Sequence, residues 1–136
     1  MSIPLDILGR LIKQLQARHH RLFDSRLGEI GSSLAQWDAL RAIDRNPGAS
    51  SHALAEYTFQ TDQSFGALAG RLLDKGLVQR LEGKGRAIHY ELTERGQQIL
   101  SQGTKLTDDV LASSFAPLQE DEREILLGLL TRLSQA

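Results

Sequence analysis

The sequence predicts a mainly α-helical fold carrying one small β-hairpin. Three observations point to it. Apolar residues recur at helical spacing in segment after segment of the 136-residue chain. Two short alternating runs, residues 77–81 and 87–92, flank the turn-forming stretch Gly83-Lys84-Gly85-Arg86. Serine, threonine or proline stands at the start of most helical segments, and glycine or proline marks several of their ends.

The first helix is expected from about residue 4 to residue 26. Leu8, Leu11, Ile12, Leu15, Leu22 and Phe23 repeat at helical spacing, with Arg10, Lys13, Arg18 and Arg21 between them. Pro4 suits a first turn, and Gly28 and Gly31 break the pattern. A second helix covers residues 33–43, with Ser32 or Ser33 as its cap and Asn46-Pro47-Gly48 as its stop. Ser50 or Ser51 opens a short third helix that carries Leu54 and Ala55 and ends near Tyr57. Thr61 or Asp62 caps the fourth. Its apolar set, Phe65, Leu68, Ala69, Leu72 and Leu73, follows the i, i+3, i+4 spacing of one buried stripe, and Lys75-Gly76 closes it. The first strand places Leu77, Gln79 and Leu81 on one face and Val78 and Arg80 on the other. After the second strand, Thr93 caps a long helix through about Phe115. A last helix follows Ala116-Pro117 and carries Ile125, Leu126, Leu129, Leu130 and Leu133.

The formal net charge is −1 and cysteine is absent. Without cysteine there are no disulfides, thiolate metal sites or thiol redox sensors. No apolar run approaches the ~20 residues needed to span a bilayer, and the N-terminus lacks a signal-peptide layout, so a cytoplasmic protein without membrane contact is expected. Near-neutrality alone disfavours nucleic acid as a partner. The charge is unevenly spread, however. Residues 1–59 carry seven basic and six acidic side chains, residues 60–90 five and three, and residues 91–136 four and eight. Charges farther apart than about 8 Å are largely screened at physiological salt, so the mildly basic middle segment acts on its own.

Helix, helix, short helix, helix, hairpin and long helices, in that order, contain a helix-turn-helix with a hairpin appended. In such a unit the short third helix crosses the DNA backbone and the fourth enters the major groove. The sequence resembles the MarR family of winged helix-turn-helix transcription regulators over nearly its whole length. The match rests on Leu34-x-x-Trp37-x-x-Leu40, on Leu54-Ala55, and on Leu68-x-x-Arg71-Leu72-x-x-Lys75-Gly76-Leu77-Val78-x-Arg80. It continues in Leu92-Thr93-x-x-Gly96 and Glu122-x-x-x-Leu126-x-x-Leu129-Leu130-x-x-Leu133. The resemblance implies a DNA-binding lobe at residues 31–96 and a helical dimerisation region at residues 1–30 and 97–136. It further implies a homodimer on a palindromic double-stranded DNA operator, repression more often than activation, and release by a small aromatic or phenolic ligand. One departure is local: where the family wing carries Asp-x-Arg, this chain has Lys84-Gly85-Arg86, so position 84 offers no acid to orient the arginine.

The candidate DNA contacts are Ser51, His52, Thr61, Gln63, Ser64, Ala67, Arg71, Lys75, Lys84 and Arg86. Gln63 and Ser64 fall in the first turn of the recognition helix, where base edges are met, and Gln pairs well with adenine. Ala67 suits a thymine methyl. Gly66 and Ala67 are small, so direct readout is sparse and DNA shape carries part of the specificity. Backbone amides near Ser51 and His52 suit a phosphate. Arg71 has a second reading, an ion pair with Asp74 at i+3. His19, Phe23 and Trp37 are candidates for an effector pocket, with Trp37 read first as core because it shares the buried spacing of Leu34 and Leu40. The stripes Leu8, Leu11, Ile12, Leu15 and Ile125, Leu126, Leu129, Leu130, Leu133 are candidates for dimerisation. The adjacent His19-His20 pair cannot chelate one ion from a helix, and His52 and His89 stand alone in sequence, so no metal and no cofactor are expected. No nucleophile elbow, phosphate loop or H-E-x-x-H motif suggests an enzyme. The competing reading is a winged-helix module that contacts only proteins.

Overall fold

The computed structural model describes residues 2–82 and 88–135. Lys84 and Arg86 lie outside the described residues. The elements run α1 (Leu5–Gly28), α2 (Leu34–Arg45), α3 (Ser51–Tyr57), α4 (Asp62–Asp74), β1 (Val78–Glu82), β2 (Ile88–Leu92), α5 (Glu94–Phe115) and α6 (Glu120–Ser134).

Side-chain caps set most helix starts. Ser33 Oγ accepts from Gln36 N at 3.2 Å, Ser50 Oγ from Ala53 N at 3.1 Å, Thr61 Oγ1 from Ser64 N at 3.1 Å and Thr93 Oγ1 from Gly96 N at 3.1 Å. Each satisfies one of the amides that a helix start leaves without a partner. Pro4 precedes α1 as an extended residue with ψ 123° and gives no side-chain cap. α1 continues to Gly28, two residues beyond the expected end, and the left-handed turn falls at Gly31 (φ 73°). Left-handed backbone of this kind is readily adopted by glycine.

The core lies between α2, α3, α4 and the base of the hairpin. Leu40, Leu54, Phe65, Leu68 and Leu72 are fully enclosed, and Ile99 and Leu100 of α5 pack against them. Burying a side chain of this size contributes roughly 1.5–3 kcal/mol, so the α4 stripe alone anchors the recognition helix firmly. β1 and β2 pair antiparallel from Val78↔Leu92 to Glu82↔Ile88. The expected alternation fails at its start, because Leu77 and Val78 are both buried. Leu77 belongs to the close of α4: its amide donates to Leu72 O at 3.0 Å, and its side chain reaches the core before the pleat begins.

α5 packs closely at two glycines. A Cβ on Gly96 would collide with the Leu77 carbonyl, and one on Gly103 with the Trp37 ring. α1 and α6 differ from the rest. Only Leu27 of α1 is buried, and no residue of α6 is. Leu8, Leu11, Ile12, Leu15, Ile125, Leu129, Leu130 and Leu133 are 40–66% exposed, while Leu126 is half-buried.

Candidate nucleic-acid interface

α3 and α4 form the helix pair, with Thr58-Phe59-Gln60-Thr61 as the turn. Thr58 anchors it from within: its hydroxyl is bonded to Leu54 O at 2.8 Å and to Ala55 O at 3.2 Å. Thr61 then caps α4 and spends its side chain on Ser64 N, so its hydroxyl fixes the helix start. Asp62, Gln63, Ser64, Gly66 and Ala67 are exposed, and Phe65 and Leu68 point the opposite way into the core. The first two turns of α4 therefore present one polar amide, one hydroxyl, one carboxylate and two small residues. Ser51 is half-buried at the start of α3.

His52 is not isolated in space. Its Nδ1 lies 2.8 Å from Asp62 Oδ1 and its Nε2 lies 3.0 Å from Glu56 Oε1. The hydrogen bond to Asp62, then the charges of Asp62 and Glu56, raise its pKa above the usual histidine value. The two carboxylates approach opposite ring nitrogens, so the trio cannot converge on one metal ion. No cluster of metal-ligating side chains occurs among the described residues.

Two basic candidates are placed differently from each other. The Lys75 ammonium donates to Gly31 O at 3.1 Å and to Gln36 Oε1 at 3.0 Å, which ties the end of α4 to the α1–α2 connection. It serves the fold at the end of α4 remote from Gln63. Arg71 is exposed and forms no ion pair with Asp74 among the described residues.

Two clefts flank α1. One, of about 530 Å³, lies between α2 and α5 and includes Phe23, Trp37, Asp38, Arg41 and Thr107 in its wall. Trp37 is 8% exposed, and its indole N–H has no hydrogen-bond partner among the described residues. The Arg41 guanidinium sits 5.5 Å from the centre of the Trp37 ring, and its Nη1 is 3.9 Å from Asp38. Burial raises the Asp38 pKa above the usual carboxylate value, and Arg41 opposes that shift. The other cleft, of about 510 Å³, is largely apolar and holds His19, Phe23, Phe115, Leu126 and Leu130. His19 Nε2 lies 2.6 Å from Ser114 Oγ. The three pocket candidates are thus divided: His19 lines one cleft, Trp37 the other, and Phe23 both. Asp38 and Arg41 escaped sequence reasoning because both read as ordinary exposed charges on the second helix. No described helix is long and apolar enough to cross a membrane.

This arrangement has close counterparts. The sequence model of the MarR family matches residues 30–87. The HTH-type transcriptional repressor Rv2887 of Mycobacterium tuberculosis is 28% identical over 125 residues, covering 88% of this chain and 90% of that protein. A mutant MarR from Escherichia coli, solved in complex with operator DNA, superposes with a TM-score of 0.83 at 26% identity, covering 93% of this chain and 92% of that one. Rv2887 in complex with p-aminosalicylic acid superposes with a TM-score of 0.78 at 25% identity, covering 93% and 98%. The likeness extends across almost the full length of the chain, which is similar to the MarR family of winged-helix regulators.

Proposed function

We propose that this protein is a transcription repressor that binds a palindromic DNA operator as a homodimer and leaves it when a small aromatic acid binds. The observation that carries the DNA reading is the start of α4. Thr61 fixes its first turn, the buried stripe holds it rigidly, and Gln63, Ser64 and Ala67 remain exposed. A helix presented in this way fits the major groove, and in a two-fold dimer the two copies of α4 meet half-sites about 34 Å apart. Ser51 and His52 at the start of α3 lie where a backbone phosphate would pass, and Arg86, which falls between the two strands in sequence, supplies a further cation. The MarR neighbour solved with operator DNA supports this reading.

The ligand reading rests on the α2–α5 cleft. The Arg41 guanidinium is a donor suited to a carboxylate, and the apolar wall of Phe23, Leu34, Leu100 and Leu111 suits an aromatic ring. The p-aminosalicylic acid complex of Rv2887 supports it.

A mobility-shift assay with the DNA flanking the protein's own gene tests both. The wild type shifts that duplex at low salt, and salicylate reverses the shift. Gln63→Ala loses preference for it while keeping nonspecific affinity, and Arg86→Ala weakens binding to all duplexes. No wild-type shift at low salt would instead support a winged-helix module that acts through protein contacts.

A further inference from the structure

We propose that Phe59, in the turn between α3 and α4, is an apolar DNA contact that adds to the sparse readout of the recognition helix; the inference rests on the DNA-binding reading. Phe59 is the one non-glycine residue with positive φ among the described residues, at 56°. The reason for that backbone conformation is visible in the hydrogen bonds. The Gln60 amide donates to Ala55 O at 2.8 Å and the Phe59 amide to Glu56 O at 3.1 Å, the pair of bonds that closes a helix through a left-handed residue. α4 ends in the same motif: Leu77 N donates to Leu72 O at 3.0 Å and Gly76 N to Leu73 O at 3.0 Å, with Gly76 at φ 71°.

The chain therefore builds one turn twice, once with glycine and once with phenylalanine. Glycine adopts this conformation freely, whereas a bulky residue is strained in it. The packing offers no return for that strain, because Phe59 is 97% exposed and its ring is absent from the core. In this motif any apolar contact is made by the residue after the left-handed position, not by the left-handed residue itself. A strained residue whose side chain the fold does not use points to a partner outside the fold.

The position says which partner. Phe59 stands two residues before the Thr61 cap and four before Gln63, and Tyr57, two positions earlier, is 56% exposed. The ring thus extends the surface already presented by the start of α4. That surface carries Gly66 and Ala67 where larger donors could stand, and Asp62 and Glu56 reduce its attraction for phosphates. An uncharged contact supplies what hydrogen bonding and charge do not. Phenylalanine suits the C–H-rich edges of a duplex, either a thymine methyl in the major groove or the edge of a deoxyribose. Thr58 and Thr61 hold the turn from both sides, so the backbone that carries the ring is ordered before DNA arrives.

The test uses the duplex that the full-length wild type selects from a random pool. Phe59→Gly and Phe59→Asn both suit left-handed backbone and should melt no lower than wild type. Each should bind the selected duplex about tenfold more weakly, with an unchanged salt slope, since the ring carries no charge. Replacing thymines one at a time by deoxyuridine separates the two edges. If a thymine methyl is the contact, one substitution per half-site reproduces the loss in the wild type and adds nothing in Phe59→Gly. If a deoxyribose is the contact, no such substitution does so, and the variant weakens on unrelated duplexes equally. Wild-type affinity in both variants overturns the inference and leaves the DNA reading intact. The same affinity accompanied by altered self-association overturns it in favour of a protein contact. A wild type that selects no duplex removes the DNA reading and this inference with it.

Discussion

At His52 the two ring nitrogens face different carboxylates, Asp62 across the turn and Glu56 one helical turn along α3. Both bonds are donated by the ring only when it is protonated, since a neutral imidazole has a single N–H. The folded protein therefore holds the proton more tightly than the unfolded chain does. For a histidine whose pKa is raised on folding, the stabilising contribution is complete below the unfolded value of about 6.5 and is lost as pH rises through the folded value. The same titration removes one positive charge from each copy of the α3–α4 surface, so DNA affinity should fall over the same interval. A proton NMR titration checks this: His52 should titrate above the ordinary histidine value of about 6.5, and Asp62→Asn should lower its pKa more than Glu56→Gln, because Asp62 dominates the shift. Titration of His52 at or below the ordinary histidine value would contradict it. This pairing was illegible in the sequence. Asp62 lies ten residues from His52, and only the reversal at Phe59 brings them together.

At the scale of elements, the sequence is most informative where the physics is local. Ser33, Ser50, Thr61 and Thr93 all cap amides three residues ahead, and sequence reading names each of them, in three cases as one of two adjacent choices. The α4 stripe is equally legible, since five residues at helical spacing share one face whatever they pack against. What the sequence conceals is the approach of one element to another. Lys75 looks like a free cation at a helix end, yet it bonds to residues 39 and 44 positions away. Gly103 looks like an ordinary weakness in a long helix, yet it admits the Trp37 ring. Gly103→Ala should accordingly lower stability by roughly 1–3 kcal/mol, the usual cost of overpacking a close contact. Urea unfolding followed by emission of Trp37, the single tryptophan, measures it. An unchanged midpoint together with an unchanged Trp37 spectrum would show that the helices separate freely there.

At the scale of the whole molecule, the two terminal helices expose an apolar surface that one chain does not cover. Leucine and isoleucine rows on α1 and α6 suit a second copy of the chain, which would bury both at once. The stripes are plain in the sequence, but their lack of a partner within the chain appears only once the other helices are in place. The charge distribution fits the same arrangement. Residues 91–136, with eight acidic and four basic side chains, include α6, whereas the α3, α4 and hairpin lobe lies in the less acidic remainder. A dimer brings two such lobes to one duplex, and if each neutralises three or four phosphates, the logarithm of affinity should fall with the logarithm of salt at a slope of about −5 to −7. That slope, measured on the selected duplex with a protein whose mass by light scattering is that of a dimer, tests the central claim most directly. A steep negative slope carried by a dimer is the result predicted here. A slope near zero, or a monomer at micromolar concentration, would contradict the proposed two-half-site DNA binding.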